Sequence, residues 1–198
     1  MSYQTLKKPV TARLEIKKSV FIAYAYPVIC REQAMFHVER LREKYADTRH
    51  WCWAYIIGDP DNTTSAGFDD DGEPSGTAGR PILNVLQHKS IGNIIIIVVR
   101  YFGGIKLGAG GLTRAYAGSA QAAVDQMILL PFVPMTQVQI LADFATEAQC
   151  RYVVENLNGS IDKVAYSKQV TLTVTIAEEY IENLKHRLGM DGRVLDSL

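Results

Sequence analysis

"IIIIVVRYFGGIKLGAGGLTRAY", residues 94–116, decides how the chain is read. Its opening, Ile94 to Val99, is an unbroken aliphatic run of β-branched residues, which predicts a strand buried on both faces. Further on, Leu112, Tyr116, Ala120 and Val124 recur every four residues, so a long helix follows. Ala115, Ala117, Gly118, Ser119 and Ala120 are small enough to let that helix pack closely on a sheet. The turn between, Arg100 to Arg114, holds five glycines and the cations Arg100, Lys106 and Arg114. Glycine admits φ > 0 and lets a backbone come close to a ligand. A glycine-rich turn entering a helix offers unpaired N–H groups, and the helix dipole favours an anion there. With three cations beside it, the turn reads as an anion-binding surface. The alternative is a tight connection whose glycines serve backbone geometry alone. Neither familiar phosphate pattern fits. Gly103 and Gly108 have the P-loop spacing, but Ala109 and Gly110 follow instead of Lys and Ser/Thr. Gly108, Gly110 and Thr113 lack the third glycine of the dinucleotide fingerprint.

Immediately upstream, "FDDDGE" at 68–73 places four acids in six residues, whereas Pro74 to Val124 contains Arg80, Lys89, Arg100, Lys106 and Arg114 and no acid. The oxygens of Asp69, Asp70, Asp71 and Glu73 suit a metal, but the spacing is not that of an EF-hand. A turn followed by a helix cap at Ser75 or Thr77 is favoured over a metal site. A third arrangement pairs these acids with Arg100, Lys106 or Arg114 and so ties two loops together. Tyr101 and Phe102 beside Arg100 suit stacking on bases, with a core role for at least one as the plainer reading.

Outward from this centre, "TARLEIKKSVFIAYAYPV" predicts two strands or a hairpin, and "REQAMFHVERLREKYAD" an amphipathic helix with Met35, Val38, Leu41 and Tyr45 near one face. "HWCWAYIIG" reads as strand, the Gly/Asp-rich stretch after it as turns with a short central strand, and "ILNVLQHKS" as a helix starting near Thr77. Pro131 and Pro134 stop the long helix and mark a domain boundary. Beyond them strand, helix, strand, strand, helix and a short tail follow, a βαββα order that predicts a small open sheet with helices on one face. The fold class is therefore α+β, in two domains, residues 1–132 and 133–198.

The chain has 198 residues, with 21 Lys+Arg against 21 Asp+Glu. Bulk attraction to nucleic acid or membrane is absent, and such binding requires a local patch. Cys30, Cys52 and Cys150 are odd in number and widely spaced, which suggests reduced thiols in a cytoplasmic protein. No apolar leader opens the chain, and no aliphatic run approaches the ~20 residues a bilayer needs. His37, His50, His88 and His186 lack metalloprotease spacing, and no nucleophile elbow is present, so no catalytic residue, metal or cofactor is assigned.

"DDDGEPSGTAGRPIL" followed by "VVRYFGGIKLGAGGLTRAYAGSA" closely resembles the IMPACT family, and the likeness spans essentially the whole chain. The resemblance implies a first domain of the ribosomal protein S5 domain 2-like fold. It implies a second, ferredoxin-like domain similar to the last domain of elongation factor G. Eukaryotic members regulate translation in the amino-acid starvation response and carry an additional N-terminal domain. By motif match, the implied functional surface is Asp71, Gly72, Glu73, Ser75, Gly76 and Thr77 on one loop. On the other it comprises Arg100, Tyr101, Gly103, Gly104, Lys106, Gly110, Gly111, Arg114 and Tyr116. The expectation is a protein that binds RNA or the ribosome, with translation-related proteins as further partners, and modulates translation away from any membrane. Arg100, Lys106 and Arg114 would contact phosphates, with Glu73 and Ser75 bracing the site. The rival is an enzyme acting on a phosphorylated small molecule or nucleotide at the same loop.

Overall fold

The aliphatic run at Ile94 becomes the middle strand of a five-stranded antiparallel sheet. In the computed structural model, which describes residues 3–195, the chain forms two units that divide between Phe132 and Val133. The outer ends of the two expected domains, 1–2 and 196–198, lie outside the described residues.

The first unit runs β1 (Tyr3–Leu6), β2 (Val10–Ile16), β3 (Ser19–Pro27), α1 (Arg31–Lys44), β4 (His50–Asp59) and β5 (Asn62–Asp69). It continues through α2 (Gly79–His88), β6 (Ile94–Tyr101), α3 (Ala109–Val124) and β7 (Leu129–Phe132). The sheet order is β2-β3-β6-β4-β5, so β6 has a partner on each side and helices on both faces. Ile94, Ile96 and Val98 enter a core shared with Ile82 and Leu86 of α2 and Tyr116 of α3. Ile95, Ile97 and Val99 point the opposite way, into a core with Ala34, Val38 and Leu41 of α1. Alternation along one strand thus feeds two cores, which is why the run carries no polar residue.

The β2–β3 hairpin closes through Lys17 and Lys18, both at positive φ (48° and 65°), between the paired Ile16 and Ser19. Positive φ at both turn residues matches the right-handed twist of the flanking strands. The expected short strand in the Gly/Asp-rich stretch is the eight-residue β5. Of the "LLPFVPM" segment read as a boundary, Leu129–Phe132 is strand, paired antiparallel with β1. Pro131 is tolerated there because this ribbon has only two strands, leaving one side of each unpaired.

The second unit comprises β8 (Met135–Ala142), α4 (Glu147–Asn156), β9 (Ser160–Tyr166), β10 (Val170–Ala177), α5 (Ile181–Leu188) and β11 (Gly192–Leu195). The expected tail is therefore a strand that pairs with β8, and the order is βαββαβ rather than βαββα. Four residues with only Val194 and Leu195 apolar give too weak a signal to read as strand without the partner. The sheet order is β11-β8-β10-β9, with Ile140, Leu172, Val174 and Ile176 meeting Val153, Val154, Leu184 and Leu188 of the helices. No described helix is long and apolar enough to cross a membrane.

Candidate anion and nucleic-acid interface

Arg100 continues the alternation Ile94, Ile96, Val98, so its side chain follows theirs toward the α2/α3 core. It is 7% exposed. A buried guanidinium requires an anion and hydrogen-bond acceptors. Glu73 supplies both: Arg100 Nη1 donates to Glu73 Oε1 at 2.5 Å, and the Tyr116 hydroxyl donates to the same oxygen at 2.8 Å. The guanidinium carbon lies 5.5 Å from the Phe21 ring centroid and 5.6 Å from that of Phe102. Arg100 Nε is buried without a partner. Burial pushes the Tyr116 phenol far up, with Cys52 and Glu73 beside it acting in the same direction, so it stays a proton donor to Glu73. Burial likewise raises the Cys52 thiol, helped by Glu73, Asp71 and Asp70, and Cys52 Sγ donates to the Asp70 carbonyl at 3.0 Å.

The acidic loop is built by its own carboxylates. Asp70 Oδ1 accepts the N–H groups of Ala78 and Gly79 at 2.9 and 2.8 Å, and Oδ2 that of Gly76 at 2.7 Å. Asp70 therefore caps α2 from eight residues upstream. The expected caps do other things: the Thr77 hydroxyl donates to the Pro74 carbonyl, and Ser75 is exposed. Asp71 ties its loop to α1 and β4, taking the Arg42 guanidinium at 3.0 Å and the Trp51 N–H at 2.7 Å while its carbonyl meets His50 Nδ1 at 2.8 Å. To do so it turns left-handed together with Gly72 (φ 41° and 82°).

Across from this loop, Gly103 packs on the hairpin turn. A Cβ there would stand 2.0 Å from the Lys18 carbonyl carbon, and the Gly103 N–H donates to Ser19 Oγ at 3.1 Å. Gly104 and Gly108 have open space around them but positive φ (83° and 71°). Gly110 and Gly111 form the first turn of α3, which has no side-chain cap at Gly108 and no acid. Its N–H groups are left for an external acceptor.

The structure brings Glu73, Arg100 and Tyr116 together inside the unit, and places Lys106 and Arg114 on its surface, in no ion pair among the described residues. Of the three cations that the pairing arrangement offered to the acidic loop, Arg100 takes Glu73, while Asp71 is held by Arg42. Tyr101, on the opposite face of β6 from Arg100, donates to Asp47 Oδ1 at 2.9 Å. Three contributors were not singled out as site residues. Exposed Lys17 and Lys18 reach the glycine turn only through the hairpin, and the signal for them is the two-residue gap between alternating runs. His50, read as structural, borders a pocket of about 310 Å³ together with Glu73, Arg100, Phe102 and Lys106 and the start of α3.

This site lies within the segment, residues 17–124, that matches the family model described as the Impact N-terminal domain. The chain belongs to the IMPACT family. It is 36% identical over 181 residues to IMPACT family member YigZ of Escherichia coli (strain K12), covering 91% of this chain and 89% of that one. An IMPACT family member of Haemophilus influenzae is 35% identical over 186 residues, covering 94% of this chain and 90% of its own. A crystal structure of a hypothetical protein matches with a TM-score of 0.75 at 33% identity, covering 100% of this chain and 98% of the other. The family resemblance seen in the two loop motifs is thus shown along most of the chain.

Proposed function

We propose that this IMPACT family chain modulates translation in the cytoplasm by binding RNA or the ribosome, with the glycine-rich turn and the first turn of α3 as the phosphate-binding surface. The observation that carries the reading is the acid-free start of α3, with no side-chain cap at Gly108, flanked by the exposed Lys106 and Arg114, which enter no ion pair among the described residues. Lys17 and Lys18 extend the positive edge. Arg100 acts from beneath: its ion pair with Glu73 fixes the end of β6, from which the turn departs. We further assign residues 1–132 to the S5 domain 2-like fold and 133–198 to the ferredoxin-like fold. The second assignment is supported by the βαββαβ order with its first strand between the fourth and third.

The test is RNA or ribosome binding at several salt concentrations. Each phosphate contact contributes roughly 0.7 to 0.9 to the slope of log affinity against log salt. Lys106→Ala flattens that slope by about one contact and leaves urea stability within ~0.5 kcal/mol. A folded Lys106→Ala protein with unchanged affinity and slope removes this turn from the interface.

The second reading, an enzyme acting on a phosphorylated small molecule or nucleotide, is favoured by the 310 Å³ pocket beside the helix start, a size that suits small ligands. Saturating ATP, with and without magnesium, separates the two: a rise in melting temperature that Lys106→Ala abolishes supports the enzyme.

A further inference from the structure

We infer that the pocket beneath the glycine turn receives the base of an unpaired RNA nucleotide whose own phosphate lies on the first turn of α3. This rests on the RNA-binding reading above and names what that site selects.

A helix start by itself accepts any anion. Here the start of α3 also forms one wall of the 310 Å³ pocket, through Gly108, Ala109 and Leu112. Phe102 and Leu107 supply further apolar wall, and His50, Glu73 and Arg100 supply polar atoms. Apolar walls suit the faces of a base, and a few polar groups suit its edge. Arg100, nine-tenths buried, lines the cavity, and its Nε–H is buried without a partner among the described residues. Phe102 is 58% exposed although its ring packs near the Arg100 guanidinium. A phenyl left half in water at the mouth of an apolar pocket is a stacking platform of the kind single-strand binders use. A duplex cannot use this arrangement, because its bases are stacked inside while its phosphates face out. An unpaired residue turns its base away from the strand and presents base and phosphate side by side. A free mononucleotide shares that chemistry but has no neighbouring phosphates for the exposed Lys17, Lys18 and Arg114.

Fluorescence anisotropy with labelled RNA of about ten nucleotides tests this. The probes are single-stranded oligo-U and oligo-A, a duplex of equal length, and oligomers with abasic residues, with mononucleotides as competitors. Single strands bind about tenfold tighter than the duplex, and abasic oligomers lose about that factor. Phe102→Ala loses a similar factor with the salt slope unchanged; the abasic oligomers, read on the unaltered protein, decide the matter if that variant folds poorly. Equal binding of single strand, duplex and abasic oligomer overturns the base pocket. If Lys106→Ala still flattens the slope in that case, the phosphate surface stands without it. Mononucleotides that compete as tightly as oligomers assign the pocket to a free nucleotide and overturn RNA as its source. No binding of any RNA by the folded protein overturns both.

Discussion

Arg100 near the end of β6 and Glu73 in the loop before α2 form a buried ion pair, with side chains 7% and 4% exposed and 27 residues apart in sequence. It ties the acidic loop to the glycine-bearing turn, the third arrangement the sequence allowed.

Removing one partner of such a pair strands the other charge. Glu73→Ala is expected to destabilise the first unit by about 3–5 kcal/mol in urea unfolding, while Glu73→Leu combined with Arg100→Leu recovers much of that loss. Equal destabilisation by the single and double changes refutes this account.

The glycines of the turn separate into two kinds. Gly103→Ala drives a methyl into the Lys18 backbone and should cost about 3 kcal/mol, since backbone cannot step aside as a flexible side chain does. Gly104→Ala meets nothing and costs only its left-handed φ, about 1 kcal/mol. Thermal melts of the two variants should rank in that order.

The parts of this picture that were legible in the sequence are those with local periodicity. Ile94 to Val99 announces a strand covered on both faces, and the four-residue spacing from Leu112 announces α3. The elements β1, β7 and β11, four residues each, were not legible, because each exists through a distant partner and not through its own pattern. Asp70 as the cap of α2 was missed for the same reason: the bond spans eight and nine residues, where cap rules look one to three back. Arg100 was expected to contact phosphates, yet its place in the alternation after Val98 points it inward, onto Glu73. Lys17 and Lys18 could join the site only once β3 was known to lie beside β6.

Burial, reinforced by the neighbouring carboxylates, holds the Cys52 thiol protonated. A disulfide-exchange reagent at pH ~8 should therefore modify the half-buried Cys30 in the native protein and reach Cys52 and Cys150 only on unfolding. Rapid native labelling of Cys52 contradicts this packing.

His37 stacks on Tyr26 with ring centroids 4.0 Å apart, in a cavity it shares with Arg40, Glu43 and Lys44. Burial, then the Arg40 charge, lowers its pKa. The unfolded chain takes up that proton more readily than the folded one, so stability falls as pH drops below the ordinary imidazole value of about 6.5. His37→Phe keeps a ring on Tyr26 and removes the proton, and should flatten the stability curve between roughly pH 7 and 5. A curve as steep as that of the unaltered protein argues against a role for His37.

The ribbon of β1 and β7 has a consequence for ancestry and engineering. Tyr3 and Phe132 are rung partners with stacked rings 4.8 Å between centroids, so the first unit starts and finishes at one spot. A module with both ends at a common doorway behaves as a cassette: it can be spliced into a host loop, or rejoined there and reopened elsewhere, with the five-stranded sheet undisturbed. Evolution can therefore append different neighbours to this unit without rebuilding the face that carries Lys106.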